Sequence, residues 1–185
     1  MRKVNKPPVV WQDIKLVIFD CDGVLTDGKI IYGQESSFNS IEMKNFNAHD
    51  GMGFMILHQA GLISAIITGR SSTTLSQRCK DLHIKYLFQK VQKKLEKADK
   101  LLTKLNLQWN QVVYMGDDWN DIPCMDKAAF SSCPSDAMPE ILKLADKVTE
   151  RKAGDGAVRE LIDYILYKQG IYEKVVEQYL QEISF

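Results

Sequence analysis

The sequence predicts an α/β protein, a three-layer α/β/α Rossmann-like parallel sheet with a small β-hairpin after the first strand and no separate cap domain. Three observations carry that expectation. Short apolar runs recur at 15–20, 62–67, 84–88 and 112–115, lengths that suit buried strands. Segments with helical spacing lie between and beside them, at about 50–60, 72–82 and 92–105. Polar clusters follow three of the runs directly: Asp20 and Asp22, then Thr68-Gly69-Arg70, then Gly116-Asp117-Asp118-Trp119-Asn120-Asp121. Alternating strands and helices imply a parallel sheet covered on both faces. Ligands of such sheets sit beyond the carboxyl ends of the strands, so the three clusters should converge.

Taken in order, the first element is the lead-in MRKVNKPPVVWQDIK, which is basic but has no apolar h-region and reads as a loose segment rather than a targeting signal. The run Leu16-Val17-Ile18-Phe19 then delivers Asp20 and Asp22 at i and i+2, a spacing that places both carboxylates on one face of an extended chain. Residues 29–46, KIIYGQESSFNSIEMKNF, flank Gly33-Gln34-Glu35-Ser36 with Ile, Tyr and Phe and read as a hairpin. In the helix over 92–105, Lys93 shares a stripe with Lys97, Lys100 and Lys104, whereas Lys94 shares one with Ala98, Leu101 and Leu105 and so faces inward. The end of the chain, about 171–183, places Ile171, Val175, Val176, Tyr179, Leu180 and Ile183 near one face and reads as a docking helix. The 185 residues fit one domain spanning 1–185.

Composition narrows the function classes. Twenty-four basic and 24 acidic residues cancel, so no global charge favours nucleic acid or an anionic membrane. No apolar stretch approaches the ~20 residues that span a bilayer. Cys21, Cys79, Cys124 and Cys133 form no Cys-x-x-Cys pair and do not combine with His49, His58 or His83 at zinc spacing, so reduced thiols and a cytoplasmic protein are expected.

Two crowded carboxylates repel unless a cation or a shared proton intervenes, so Asp20 and Asp22 suggest a hard metal, acid/base work or both. An acidic turn formed for backbone reasons is the plainer alternative. A calcium-binding loop is excluded by position: a template begun at Asp20 puts Leu25 where Gly is required and Ile31 where a bidentate Glu is required. Helix capping accounts for one Asp in the third cluster but not for Asp117, Asp118 and Asp121 together. Joined to Asp20 and Asp22 they suit an oxygen-rich Mg²⁺ site. Lys94 opposes the helix dipole, a cost that an anionic partner offsets. The hydroxyl of Thr68 suits a phosphate oxygen, and Arg70 supplies a forked donor for carboxylate or phosphate.

In this order DCDGVLT, ITGR, Lys94 and GDDWND resemble the four motifs of the haloacid dehalogenase superfamily of phosphatases, over residues 14–160. The resemblance implies Asp20 as the nucleophile that forms an aspartyl-phosphate and Asp22 as general acid/base. It implies Thr68 and Lys94 at the phosphoryl oxygens. Mg²⁺ would then lie on Asp20, Asp117 and the Asp22 backbone carbonyl, with Asp121 also at the metal and Asn120 and Asp121 orienting Lys94 and metal-bound water. Only 45 residues separate Asp22 from Thr68 and 25 separate Thr68 from Lys94, too few for a cap domain, so closure is expected from another subunit of a homotetramer.

Within that superfamily, TDGKIIYG, FNAHDGMG, ITGR and AGDGAVRE resemble the 3-deoxy-D-manno-octulosonate 8-phosphate phosphatase family. That likeness implies a Mg²⁺-dependent, tetrameric enzyme of lipopolysaccharide synthesis with sites at subunit contacts. It places Asp50 and Gly51 with Thr68, Gly69, Arg70 and Asn120 among the substrate-binding residues. Two alternatives stand beside it. Phosphatases for nine-carbon 2-keto sugar-acid 9-phosphates are similar but tend to carry Glu where this chain has Arg70, and a related non-catalytic module accompanies sugar-acid cytidylyltransferases. The chain departs from the family pattern at His49, where Arg is usual, at Asp155, and in a longer helical C-terminus.

Overall fold

A computed structural model describes residues 6–34 and 40–184. Six parallel strands form the main sheet in the order β5-β4-β1-β6-β7-β8. They are β1 (Leu16–Phe19), β4 (Ile63–Ile67), β5 (Tyr86–Phe88), β6 (Val112–Met115), β7 (Phe130–Cys133) and β8 (Lys147–Val148). The separate pair β2 (Ile31–Gln34) and β3 (Ser40–Met43) is the antiparallel hairpin, with Ile31 opposite Met43 and Gln34 opposite Ser40. Its turn lies outside the described residues.

Alternation across the strands sorts their side chains onto two cores. In β1, Val17 and Phe19 enter one cluster while Leu16 and Ile18 enter the other; Val113 and Met115 of β6 separate from Val112 and Tyr114 in the same way. The first core is closed by α1 (Ala48–Gln59), α2 (Thr73–Asp81), α6 (Ala157–Gln169) and α7 (Tyr172–Ile183). The second is closed by α3 (Lys94–Leu105), α4 (Ile122–Lys127) and α5 (Pro139–Leu144). The three-layer expectation holds.

The expected strands and helices between 15 and 115 are present, with 84–88 shortened to three paired residues while Ile84 is buried in the first core. The strands β7 and β8 and the helices α4 to α6 complete the architecture. At the C-terminus, Ile171, Tyr172 and Val175 pack on the first core, whereas Leu180 and Ile183 are exposed and the last turn of the docking helix is held by Gln59 Nε2 donating to Glu182 Oε1 at 3.0 Å.

The loose lead-in is corrected from residue 6 onward. Lys6 Nζ donates to Asp146 Oδ2 at 2.9 Å and to the Met125 carbonyl at 2.7 Å. The Trp11 ring stands edge-on to Phe130 and Tyr164, centroids 4.9 and 5.5 Å away, and Gln169 Nε2 donates to its carbonyl at 2.9 Å. The segment thus closes the β7–α6 corner of the first core.

A long-range brace ties the far end of the chain to the loop after β1. Gly154 N donates to the Val24 carbonyl at 3.2 Å, and Gly154 has φ +65°. A Cβ there would lie 2.6 Å from Asp27 N and 2.8 Å from the Thr26 carbonyl carbon, backbone atoms that have no room to yield. Gly154→Ala is therefore expected to lose more than about 1 kcal/mol of stability, measured by urea unfolding.

Candidate active site

The carboxyl ends of β1, β4 and β6 bring the acidic clusters to one place. The β1–β4 and β1–β6 registers align Phe19 with Ile66 and with Met115, so the residues that follow leave the sheet side by side. One oxygen each of Asp20, Asp117 and Asp121 falls within a mutual 4.8 Å. Gly23, at φ +85°, makes this possible. A Cβ on it would sit 2.0 Å from Asp117 Oδ2, so only glycine lets the loop after β1 close against that carboxylate.

Lys94 enters this cluster from the first turn of α3. Its side chain is 1 % exposed, and Nζ lies 2.7 Å from both Asp20 Oδ2 and Asp121 Oδ1. The inward register expected for Lys94 is the one observed, while Lys93 is exposed and pairs with Glu96 at 2.8 Å. Asp121 is more fully engaged than any neighbour. Its Oδ1 also accepts from Tyr114 OH at 2.6 Å, and Oδ2 accepts from the backbone N–H groups of Asp117 at 3.1 Å and Asp118 at 3.4 Å. Those four donors use the acceptor capacity of the carboxylate, so Asp121 holds Lys94 and the loop. A metal ion would draw first on Asp20 and Asp117.

Electrostatics point the same way. Burial, then the charge of Asp121, pushes the Asp20 carboxyl up to about 7 despite the opposing Lys94 ammonium. Burial, then Asp20 and Asp121, pushes Asp117 up to about 8. Asp117 Oδ1 is buried without a hydrogen-bond partner among the described residues. Three carboxylates and one ammonium leave an excess of buried negative charge and an orphaned hard oxygen, which a small divalent cation satisfies. The residues present fit Mg²⁺.

Asp22 stands apart from that cluster. Its Oδ1 accepts from Lys44 Nζ, a side chain 2 % exposed that arrives from the end of the hairpin, and its Oδ2 lies 3.6 Å from Arg70 Nε. Arg70 Nη2 reaches back to Glu42 Oε1 at 2.8 Å and Tyr32 OH at 3.2 Å. Thr68 is buried at the end of β4, with exposed Gly69 and half-buried Arg70 after it. Asn120 is exposed on the turn over 119–121.

Asp50 and Gly51, expected at the substrate, are buried in the first turn of α1. Asp50 Oδ1 accepts from Arg159 N at 2.8 Å in the first turn of α6, so the carboxylate caps that helix from outside. Gly51 is buried against Arg78, whose Nη2 a Cβ would approach to 2.7 Å. His49 lines a separate groove with Lys147, Arg151 and Arg159. Cations reach the neighbourhood of His49 from β8, from α6 and from the loop between them.

Comparison with known proteins agrees with this geometry. A family model described as haloacid dehalogenase-like hydrolase matches residues 86–161. The 3-deoxy-D-manno-octulosonate 8-phosphate phosphatase KdsC of Escherichia coli K12 is 41% identical over 159 residues, covering 86% of this chain and 82% of its own. The chain belongs to the KdsC family of haloacid dehalogenase-like hydrolases. It is therefore a phosphoric monoester hydrolase. The structure of the Yersinia pestis KdsC-type phosphatase superposes with a TM-score of 0.84 at 40% identity, covering 88% of this chain and 86% of that one. The Moraxella catarrhalis phosphatase, solved with magnesium, phosphate and 3-deoxy-D-manno-octulosonate, gives 0.86 at 35% identity, covering 91% and 95%. Among the described residues no helix is long and apolar enough to cross a membrane.

Sequence reasoning passed over Tyr114, Glu42 and Lys44. Tyr114 sits in an apolar run and reads as core until its hydroxyl is seen on Asp121. Glu42 and Lys44 read as polar residues of a hairpin, with no local signal that the hairpin folds back onto Asp22.

Burial raises the Asp50 carboxyl to about 6, against the opposing hydrogen bond from Arg159 N. A folded-state value above the unfolded one means that the stability gained from protonation is full below about 4 and is lost as pH rises through 6. Asp50→Asn should remove that slope, worth up to about 3 kcal/mol between pH 4 and 7, in urea unfolding at graded pH.

Proposed function

We propose that this chain is a Mg²⁺-dependent phosphatase that hydrolyses 3-deoxy-D-manno-octulosonate 8-phosphate to the free sugar acid and phosphate, with Asp20 as nucleophile. The observation that carries the reading is the buried triad of Asp20, Lys94 and Asp121 with Asp117 beside it, in the family whose Moraxella catarrhalis member was solved with magnesium, phosphate and the sugar acid.

An Asp20 carboxylate oxygen attacks phosphorus while the bond from phosphorus to the sugar oxygen breaks, giving an aspartyl-phosphate. Asp22 supplies a proton to the departing alkoxide and then accepts one from the water that cleaves the acyl-phosphate, so Asp20 and Asp22 end as they began. Phosphoryl transfer depends on positioning and on neutralising charge, and the Lys94 ammonium with the Thr68 hydroxyl serves the phosphoryl oxygens. Asp20, Asp117 and the Asp22 backbone carbonyl would hold Mg²⁺, which neutralises negative charge on the transferring group. Asn120 and Gly69 border the phosphate position. Arg70 is the donor for the sugar-acid carboxylate.

The reading extends to assembly. The hairpin leaves Ile30, Tyr32, Ile41 and Met43 exposed beside Arg70, an apolar surface suited to a neighbouring copy. We read the working form as a cytoplasmic homotetramer with each site completed at a subunit contact. Sedimentation at working concentration should give a species of four chains, and a monomer with full activity would overturn that assembly.

Asp20→Asn should lower kcat by on the order of 10⁴-fold or more, and chelation of Mg²⁺ should abolish turnover reversibly. A panel of eight- and nine-carbon 2-keto sugar-acid phosphates tests the substrate, with the highest kcat/KM expected for the eight-carbon 8-phosphate. Preference for a 9-phosphate would reassign it, and no turnover across the panel would favour a non-catalytic assembly module.

A further inference from the structure

Two carboxylates two residues apart at the end of one strand would ordinarily converge on the same cation. Here they do not. Asp20 joins Asp117 and Asp121 within 4.8 Å, and the Asp22 carboxylate is absent from that group. Each of its oxygens is instead turned toward a cation delivered from elsewhere in the chain. Lys44 Nζ donates to Oδ1, and Arg70 Nε lies 3.6 Å from Oδ2. Glu42, two residues before Lys44, anchors both cations, with Oε1 2.8 Å from Arg70 Nη2 and 3.9 Å from Lys44 Nζ. The Thr26 hydroxyl also reaches Asp22 Oδ1, at 3.5 Å.

The two cations are not equivalent. The Arg70 side chain is 36 % exposed, so part of its guanidinium is accessible to a ligand. The Lys44 side chain is 2 % exposed. An ammonium shielded from water with a carboxylate at contact distance holds its partner more tightly than a solvated one, because water screens the pair less. Long, flexible lysine is otherwise rarely buried, so its burial at this point has a specific consequence.

We propose that Lys44 is the positioning residue of the general acid/base: it holds the Asp22 carboxylate away from the metal-binding cluster and on the side where the leaving oxygen departs. The inference rests on the acid/base reading of Asp22 given above. Without Lys44, Asp22 is free to swing toward the cation that Asp20 and Asp117 attract, and proton delivery to the alkoxide suffers while attack by Asp20 does not.

Substrates that differ in their need for a proton separate this role from a structural one. An alkyl phosphate such as a 2-keto sugar-acid phosphate releases a basic alkoxide, whereas p-nitrophenyl phosphate releases a stable phenolate without protonation. Lys44→Met should lower kcat/KM, which reports the steps through release of the alcohol and leaves out the later hydrolysis of the acyl-phosphate, by roughly 100-fold for the alkyl ester, the scale of general acid catalysis, and by less than about threefold for the aryl ester. Lys44→Arg, which keeps the charge, should restore most of the alkyl activity. If Lys44→Met does not fold by urea unfolding, Lys44→Gln is read the same way. Equal loss of kcat/KM on both esters, or no loss on the alkyl ester, overturns the inference. Asp22→Asn assayed in parallel distinguishes the two levels. If it too shows no selectivity between esters in kcat/KM, the acid/base reading fails; if it is selective and Lys44→Met is not, only the role of Lys44 fails.

Discussion

A buried ammonium between two carboxylates is the interaction on which the rest of this site depends. Lys94 brings α3 to the ends of β1 and β6 through contacts of 2.7 Å to Asp20 and to Asp121. Moving such charges out of water costs several kcal/mol each, and removing one partner of a buried pair leaves the other uncompensated. The arrangement persists because the remaining valences are filled: Tyr114 and two backbone N–H groups complete Asp121, and the N–H of Cys21 donates to Asp20 Oδ1 at 2.7 Å. What remains unfilled is the outward side of Asp20 and Asp117. The protein thus satisfies the interior of its acidic cluster and leaves its front face short of positive charge, which is the requirement of a site that receives a divalent cation and a phosphate together.

The main sheet and the hairpin divide the work. Strand ends bring Asp20, Asp117 and Thr68 together through register, since their backbones leave a rigid parallel sheet in neighbouring positions. The second carboxylate of the first motif lies past the strand and lacks that support. Its fixation comes from Lys44, Glu42 and Arg70, residues scattered over 28 positions of chain and gathered by the hairpin. An insertion that looks peripheral in the topology therefore supplies part of the electrostatic frame of the Asp22 carboxylate.

Local pattern explains what could be read in advance and what could not. The strands that lead into the site are short, largely apolar and followed at once by Asp, Thr or Gly, so β1, β4 and β6 and their convergence were legible. The inward register of Lys94 followed from counting helical turns against Ala98 and Leu101. The last two strands were not legible, because β7 is Phe-Ser-Ser-Cys and β8 only two residues, neither of which stands out from a loop. The tie of Lys6 to Asp146 spans 140 positions, and that of Asp50 to Arg159 spans 109; no periodicity within one segment records such a meeting. Tyr114 was counted correctly as buried, yet its hydroxyl and not its ring gives it a place in the site.

The two margins of the six-stranded sheet have a consequence for how copies of this molecule meet. At one margin stands β5 with three residues, at the other β8 with two, so little unpaired peptide is offered to a strand from another molecule. Ribbon-to-ribbon growth through backbone pairing is thereby discouraged along the whole central layer. Self-recognition is left to side-chain surfaces and to the short separate hairpin, and an encounter between copies can be closed and specific without extending the central sheet.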